Sequence, residues 1–259
     1  MTASHPTAAT GPLKVFPDST ELVPTLAAHL LALALDTLAK EGADRPFRIA
    51  LSGGTSPQAL YKLMASPAYA SRFPWAQTQF FVVDDRFVPY SHEDSNGGML
   101  QRLLFERVPL PKGNVFLMPD SGEPAEAARS YEATLRQVTG LTHLPAAGDA
   151  TARPLLDVSL MGMGSDGHTA SLFPGQDVLT NHTDWVSYCT PTTAPHTRLT
   201  LTYPAIAASR HVIFLVTGED KQTMMVRVRA QDLSLPTTAI AALRDVTWFM
   251  DQAALPPAA

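Results

Sequence analysis

Gly162-Met163-Gly164-Ser165-Asp166-Gly167-His168-Thr169-Ala170-Ser171-Leu172-Phe173-Pro174 follows directly on the apolar run Leu155-Leu156-Asp157-Val158-Ser159-Leu160-Met161. A strand-like segment rich in Leu and Val runs into a turn with three glycines, and the turn presents Asp166 and His168 two residues apart before a second apolar segment begins. An α/β protein exposes titratable side chains in this way at the carboxyl end of a sheet, where ligands of open α/β sheets bind.

Outward from this block, helical and strand patterns alternate. Asp18 and Glu21 form a capping-box-like pair ahead of Leu22, Leu26, Leu30, Ala34 and Leu38, a helix with one buried stripe. Phe47 to Leu51 reads as a short buried strand, followed by the turn Ser52-Gly53-Gly54 and a helix from about Pro57. Further strands are expected at 80–83, 115–117, 185–190, 211–217 and 246–250, with helices at 96–107, 123–138 and 219–230. Strands alternating with helices predict a mainly parallel, doubly wound α/β sheet. Residues 143–154 read as a surface connection, and residues 1–12 as a flexible tail ahead of one domain over 13–255.

Composition bounds the partners. At 45% hydrophobic and 17% charged, the 259-residue chain is an ordinary globular sequence, far from disorder. A net charge of −5 offers no footprint for nucleic acid or an acidic membrane, yet leaves room for a small anion held by two or three local cations. No apolar stretch is expected to reach the length of a membrane span. The single cysteine, Cys189, excludes an internal disulfide and fits a reducing compartment; with no base among its neighbours it reads as a core residue. These features point to a cytoplasmic protein.

Four further groups carry chemistry. Leu51-Ser52-Gly53-Gly54-Thr55-Ser56-Pro57 lies between a strand and a helix, so its free N–H groups suit a phosphate; a plain tight βα turn explains it equally well. It is neither a Walker A loop nor a dinucleotide fingerprint. Asp84-Asp85-Arg86 ends a strand, with His92, Asp94, Ser95 and Asn96 close behind. That cluster reads as metal ligands, as ion pairs with Asp94 or Ser95 capping a helix, or as an arginine fork for a phosphate or carboxylate. In the Asp166/His168 pair, a near-neutral imidazole can take a proton from water and a carboxylate can orient it; the spacing of two does not fix their contact, and a structural histidine is the alternative reading. Ser165, Thr169 and Ser171 are not in a Gly-x-Ser-x-Gly elbow, which argues against a Ser-His-Asp hydrolase. Arg198 and Lys221 sit near element ends, either as solvated charges or as anion ligands.

LSGGTSP, DDRFVP with HEDSN, GMGSDGHTASLFPG, RLTLT and TGEDK stand in the order and approximate spacing seen in the 6-phosphogluconolactonases, and the chain resembles that family over about residues 15–250. The resemblance implies a Rossmann-like fold and hydrolysis of 6-phosphoglucono-1,5-lactone without a required metal or cofactor; a monomer or weak homodimer is expected, and the sequence does not show which. The resemblance places His168 as general base, Gly53, Gly54, Thr55, Ser56, Arg198 and Lys221 at the phosphate, and Asp84 and Arg86 along the sugar. Thr55-Ser56-Pro57 stands where the family often has Ser-Thr-Pro, and Asp85 where it often has Glu. Glucosamine-6-phosphate deaminases share a similar glycine turn but carry a glutamate before the following proline, where this chain has Ala170-Ser171-Leu172-Phe173-Pro174. A sugar-phosphate-binding regulator is the rival of another class; such proteins usually carry a helix-turn-helix, for which little chain is spare.

Overall fold

A computed structural model describes residues 11–42 and 45–256; the expected tail lies, through residue 10, outside the described residues. The elements are β1 (Leu13–Phe16), α1 (Ser19–Glu41), β2 (Phe47–Leu51), α2 (Gln58–Met64), α3 (Pro67–Ala70), β3 (Thr78–Val82), β4 (Asp84–Arg86), α4 (Asn96–Leu103), α5 (Pro124–Thr139), β5 (Val158–Met161), β6 (Val186–Cys189), β7 (Arg198–Leu201), α6 (Tyr203–Ala207), β8 (His211–Val216), α7 (Gln222–Arg229), α8 (Pro236–Leu243) and β9 (Val246–Asp251).

Six strands form a parallel sheet in the order β1-β9-β8-β5-β2-β3, as the alternation of elements predicts. Both faces of the sheet are buried, and side chains divide between them with period two. Ile49, Leu51, Phe80, Val82, Val158, Leu160, Ile213 and Leu215 pack on one side with α1, α2 and α4. Ala50, Phe81, Met161, Val212, Phe214 and Trp248 pack on the other with α5 and α8. Each fully buried large apolar side chain contributes roughly 1.5–3 kcal/mol, so the two layers hold the sheet between them.

Sequence and structure part at several elements. The strand expected at 115–117 reduces to one bridge, Val115 to Phe80, in which the Phe116 N–H donates to the Phe80 carbonyl at 2.9 Å while its ring stacks on Phe81 with centroids 4.9 Å apart. Residues 96–107 split into α4 and a 3-10 turn at 105–107. Asp18 caps α1 by accepting from the Thr20 N–H at 2.7 Å. By length and composition α1 is long and apolar enough to cross a membrane, which corrects the expectation that no stretch reaches a span. Here Leu22, Leu26, Leu30 and Ala34 are fully buried in the core.

A second sheet, β4-β7-β6, is antiparallel and was not expected from the sequence. Val83 joins the two sheets: its N–H donates to the Leu51 carbonyl at 3.0 Å, and its carbonyl accepts from the Leu201 N–H at 2.8 Å. At the amino ends of the main strands, Arg45 places two guanidinium nitrogens on the buried Asp157 at 2.9 and 3.1 Å.

The chain order explains where a ligand fits. From β2 the path runs to β3 on one side, then returns to build β5, β8 and β9 on the other. The loops after β2 and β5 therefore diverge from adjacent strands, leaving a crevice at the carboxyl ends, the topological switch point of an open α/β sheet.

Candidate active site

That crevice is a cleft of about 190 Å³. The loop after β2 supplies Gly53, Gly54, Thr55 and Ser56; β4 supplies Asp84 and Arg86; the turn after β5 supplies His168; β7 supplies Arg198; and the 3-10 turn after β8 supplies Lys221. Asp166 stands behind His168. The glycine-loop residues, Asp84, Arg86, His168, Arg198 and Lys221 thus line one cleft although they come from five segments, whereas Asp85, His92, Asp94, Ser95 and Cys189 do not line it.

The turn after β5 is built around the imidazole. His168 Nδ1 lies 2.5 Å from Asp166 Oδ1, which also accepts the His168 N–H at 3.1 Å. Since the carboxylate accepts, Nδ1 carries the proton and Nε2 keeps its lone pair. Partial burial of Asp166 opposes its charge, but the hydrogen bonds from His168 outweigh this and lower the carboxyl to about 2. A Cβ on Gly164 would fall 2.1 Å from His168 Nδ1, so only glycine lets the ring lie there. From below, the Thr237 hydroxyl donates to the Gly167 carbonyl at 2.9 Å. Ala170, on the cleft wall, has φ 49, a left-handed conformation that costs an alanine of order 1 kcal/mol.

Phe173 joins this turn to the cations. His168 stacks on its ring at 4.2 Å between centroids, and the Arg198 guanidinium lies 5.2 Å from the same ring. Arg86 and Arg198 are direct cross-strand partners of β4 and β7. Arg86 donates to the Asp94 carbonyl at 2.8 Å and to Asn96 Oδ1 at 2.9 Å, and Arg198 to the Pro195 carbonyl at 3.3 Å. The Nε of each is buried without a partner. Desolvation, with Arg86 nearby, lowers the Arg198 pKa from its ordinary value. Two desolvated cations facing one another are a site that an anion completes.

The carboxylates divide by role. Asp84 accepts from the Ser171 hydroxyl at 2.6 Å. Asp85 turns away to cap α4, accepting from the N–H groups of Asn96 and Gly97 at 2.6 and 2.8 Å, while Ser95 accepts from the Gly98 N–H at 3.0 Å. Burial raises the Asp85 carboxyl to about 6. Lys221 meets Asp220 at 2.7 Å, so an entering anion would share its charge. Ser56 pairs with Thr217 at 2.9 Å, whereas Thr55 is exposed at the mouth. Ser171 and Thr169 are engaged with Asp84 and the Gly162 carbonyl. Cys189 is buried, its thiol donating to the Ser171 carbonyl, and burial raises its pKa to about 11.

The model of the glucosamine-6-phosphate isomerases/6-phosphogluconolactonase family matches residues 17–248. The chain belongs to this family. The 6-phosphogluconolactonase of Nostoc sp. is 36% identical over 246 residues, covering 93% of this chain and 96% of that protein. The chloroplastic 6-phosphogluconolactonase 3 of Arabidopsis thaliana is 34% identical over 210 residues, covering 80% and 64%. The solved structure of 6-phosphogluconolactonase from Trypanosoma cruzi matches with a TM-score of 0.80 at 26% identity, over 97% of this chain and 98% of that one. As the chloroplastic relative illustrates, membership of the family does not fix a cytoplasmic location.

Two residues escaped the sequence reading as site residues: Asn96, which lines the cleft, and Phe173, buried against the rings and cations that do. Phe173 was legible only as part of an apolar segment. Asn96, read as one member of a polar cluster, bridges three parts: it accepts from Arg86, donates to the Asp84 carbonyl at 2.9 Å, and fills the space where a Cβ on Gly53 would sit, 1.7 Å from its Oδ1. A glycine followed about forty residues later by an Asn carries no local signal of contact.

Proposed function

We propose that the chain hydrolyses 6-phospho-D-glucono-1,5-lactone to 6-phospho-D-gluconate, a step of the oxidative pentose phosphate pathway, with His168 as general base. The observation that carries this reading is one imidazole, oriented by Asp166, sharing a cleft and an aromatic floor with a desolvated arginine. The phosphate docks between the 52–56 loop, Arg198 and Lys221, and Asp84 and Arg86 face the sugar.

His168 Nε2 then takes a proton from water as the oxygen adds to the lactone carbonyl carbon. When the tetrahedral intermediate collapses, the bond from that carbon to the ring oxygen breaks, and the imidazolium returns its proton to the departing alkoxide. General-base assistance of this kind is worth about 10² to 10⁴ in rate. The Gly164 and Gly167 N–H groups donate within the turn, at 2.8 Å to the His168 carbonyl and 3.1 Å to the Gly164 carbonyl. Those two N–H groups are thus engaged and do not serve as the oxyanion donors. The cytoplasm is the proposed compartment, and the net charge of −5 supports a small-molecule substrate over nucleic acid.

The test is the rate of lactone hydrolysis at a pH where the spontaneous reaction is slow. His168→Ala, folded by circular dichroism, is expected to lose about 10² to 10⁴ in kcat/KM. A folded wild type no faster than buffer overturns the reading, and deamination of glucosamine 6-phosphate is then assayed.

A further inference from the structure

At the rim of the cleft, two loops bring together side chains that the hydrolytic reading does not use. His196 Nε2 lies 3.0 Å from Asp94 Oδ2, and His92 Nδ1 lies 3.9 Å from the same oxygen. The two imidazoles meet edge to face with centroids 5.3 Å apart. One ligand atom from each of the three residues falls within 4.8 Å of the others, and all three side chains are partly exposed, which leaves an entry path. His196 holds φ 71, a left-handed conformation that few non-glycine residues adopt and that histidine tolerates better than most. His92 Nδ1 also accepts the Asp94 backbone N–H at 3.1 Å, a local bond that holds the ring beside this carboxylate and that an ion at Nδ1 would replace.

Two imidazoles and one carboxylate are the donor set of three-ligand zinc sites, with a fourth position left for water. We propose that His92, Asp94 and His196 bind a divalent transition-metal ion of the zinc class. The ion clips the loop carrying His92 and Asp94 to the loop carrying His196. The same two loops supply the carbonyls that orient the cleft arginines: Asp94 to Arg86 at 2.8 Å and Pro195 to Arg198 at 3.3 Å. Occupancy therefore fixes the segments behind both cations without touching the imidazole of His168. The inference stands apart from the proposed hydrolysis, since it rests on different side chains.

The experiment uses Co²⁺ as an optical probe on the purified, chelator-treated full chain, in a buffer free of phosphate and imidazole. The expected result is the visible absorption of four-coordinate Co²⁺, saturating at one ion per chain and bleached by Zn²⁺. His92→Gln and His196→Gln are each expected to weaken binding by about tenfold or more, while His143→Gln, altering an exposed histidine elsewhere, binds as the wild type does. In parallel, Zn²⁺ raises the melting temperature of the wild type and leaves that of the double His92→Gln/His196→Gln variant unchanged. If His196→Gln fails to fold, Asp94→Asn takes its place. No absorption in the wild type, or absorption undiminished in the folded variants, overturns the proposal.

Discussion

Arginine is handled in opposite ways at the two ends of the parallel sheet. At the amino ends, Arg45 lays Nη1 and Nη2 on the two oxygens of Asp157, which also accepts the Arg48 N–H at 2.8 Å. At the carboxyl ends, Arg86 and Arg198 face each other across β4 and β7 and donate only to neutral oxygens. One end closes its charge within the chain; the other holds two partly desolvated positive charges side by side. A like-charge pair is a poor device for stability, and a paired buried charge is a poor device for binding, because its partner is already present. Charge compensation thus separates the end that holds the fold from the end that receives a ligand.

The largest effect expected from this contrast is at the closed end. Asp157→Ala strands Arg45 in the core and is expected to destabilise the protein by about 3–5 kcal/mol in urea unfolding, leaving kcat/KM of the folded fraction unchanged. A loss under about 1 kcal/mol would mean that the amino-end pair is not what secures the strands. At the open end, Gly164→Ala should do the converse. Its new Cβ meets the His168 ring, and displacing a reacting group by about 1 Å costs on the order of 10² in rate, with stability little changed. Gly162→Ala is the control, because nothing lies within 4 Å of a Cβ there; equal loss in both variants would sink the steric argument.

Arg198→Met comes next. It keeps an apolar stem beside Phe173 and removes one charge of the facing pair. A charge-assisted hydrogen bond to phosphate is worth about 1.5–3 kcal/mol, so KM rises by tenfold or more while kcat falls less. Removing the repulsion with Arg86 offsets some lost packing, so the free variant should melt no lower than the wild type. Inorganic phosphate, in turn, should raise the melting temperature of the wild type and not of the variant. A variant that melts several degrees lower without ligand would show Arg198 to be structural, and the contrast between the two ends would fail.

The same contrast governs what was legible in the sequence. The parallel strands and the β5 turn were readable because their signals are local: buried runs, clustered glycines, and an Asp two residues from a His. β4 was legible only as the end of the preceding strand, because three charged residues carry no apolar alternation, and β7 was missed although Arg-Leu-Thr-Leu alternates, because four residues are too short to stand out; the two form a sheet by pairing over about a hundred residues. β1, with alternate exposed and half-buried residues at the sheet edge, was equally short. Asp85 was set aside on a family difference, and its capping of α4 supplies the physical reason. The contact between Asp166 and His168 was undecidable from spacing, since it depends on Gly164 leaving room for the ring.

The smallest expected effect tests that contact through pH. With its carboxyl held at about 2, Asp166 stays ionised above about pH 4 and remains a charged acceptor for His168 through the neutral range. Asp166→Asn removes the charge while its amide oxygen still accepts the Nδ1 proton and preserves the tautomer, so kcat/KM should fall by less than it does in His168→Ala. The linkage to stability has the sign of a depressed acid. The folded carboxyl lies below its ordinary 3.8, so the stabilisation is present above that value and disappears as pH falls through about 2. Wild type and Asp166→Asn should accordingly differ in urea midpoint at pH 6 and converge at the acid extreme. Unchanged kcat/KM, with midpoints that never differ, would mean that the dyad does not persist in solution and that His168 acts without an orienting carboxylate.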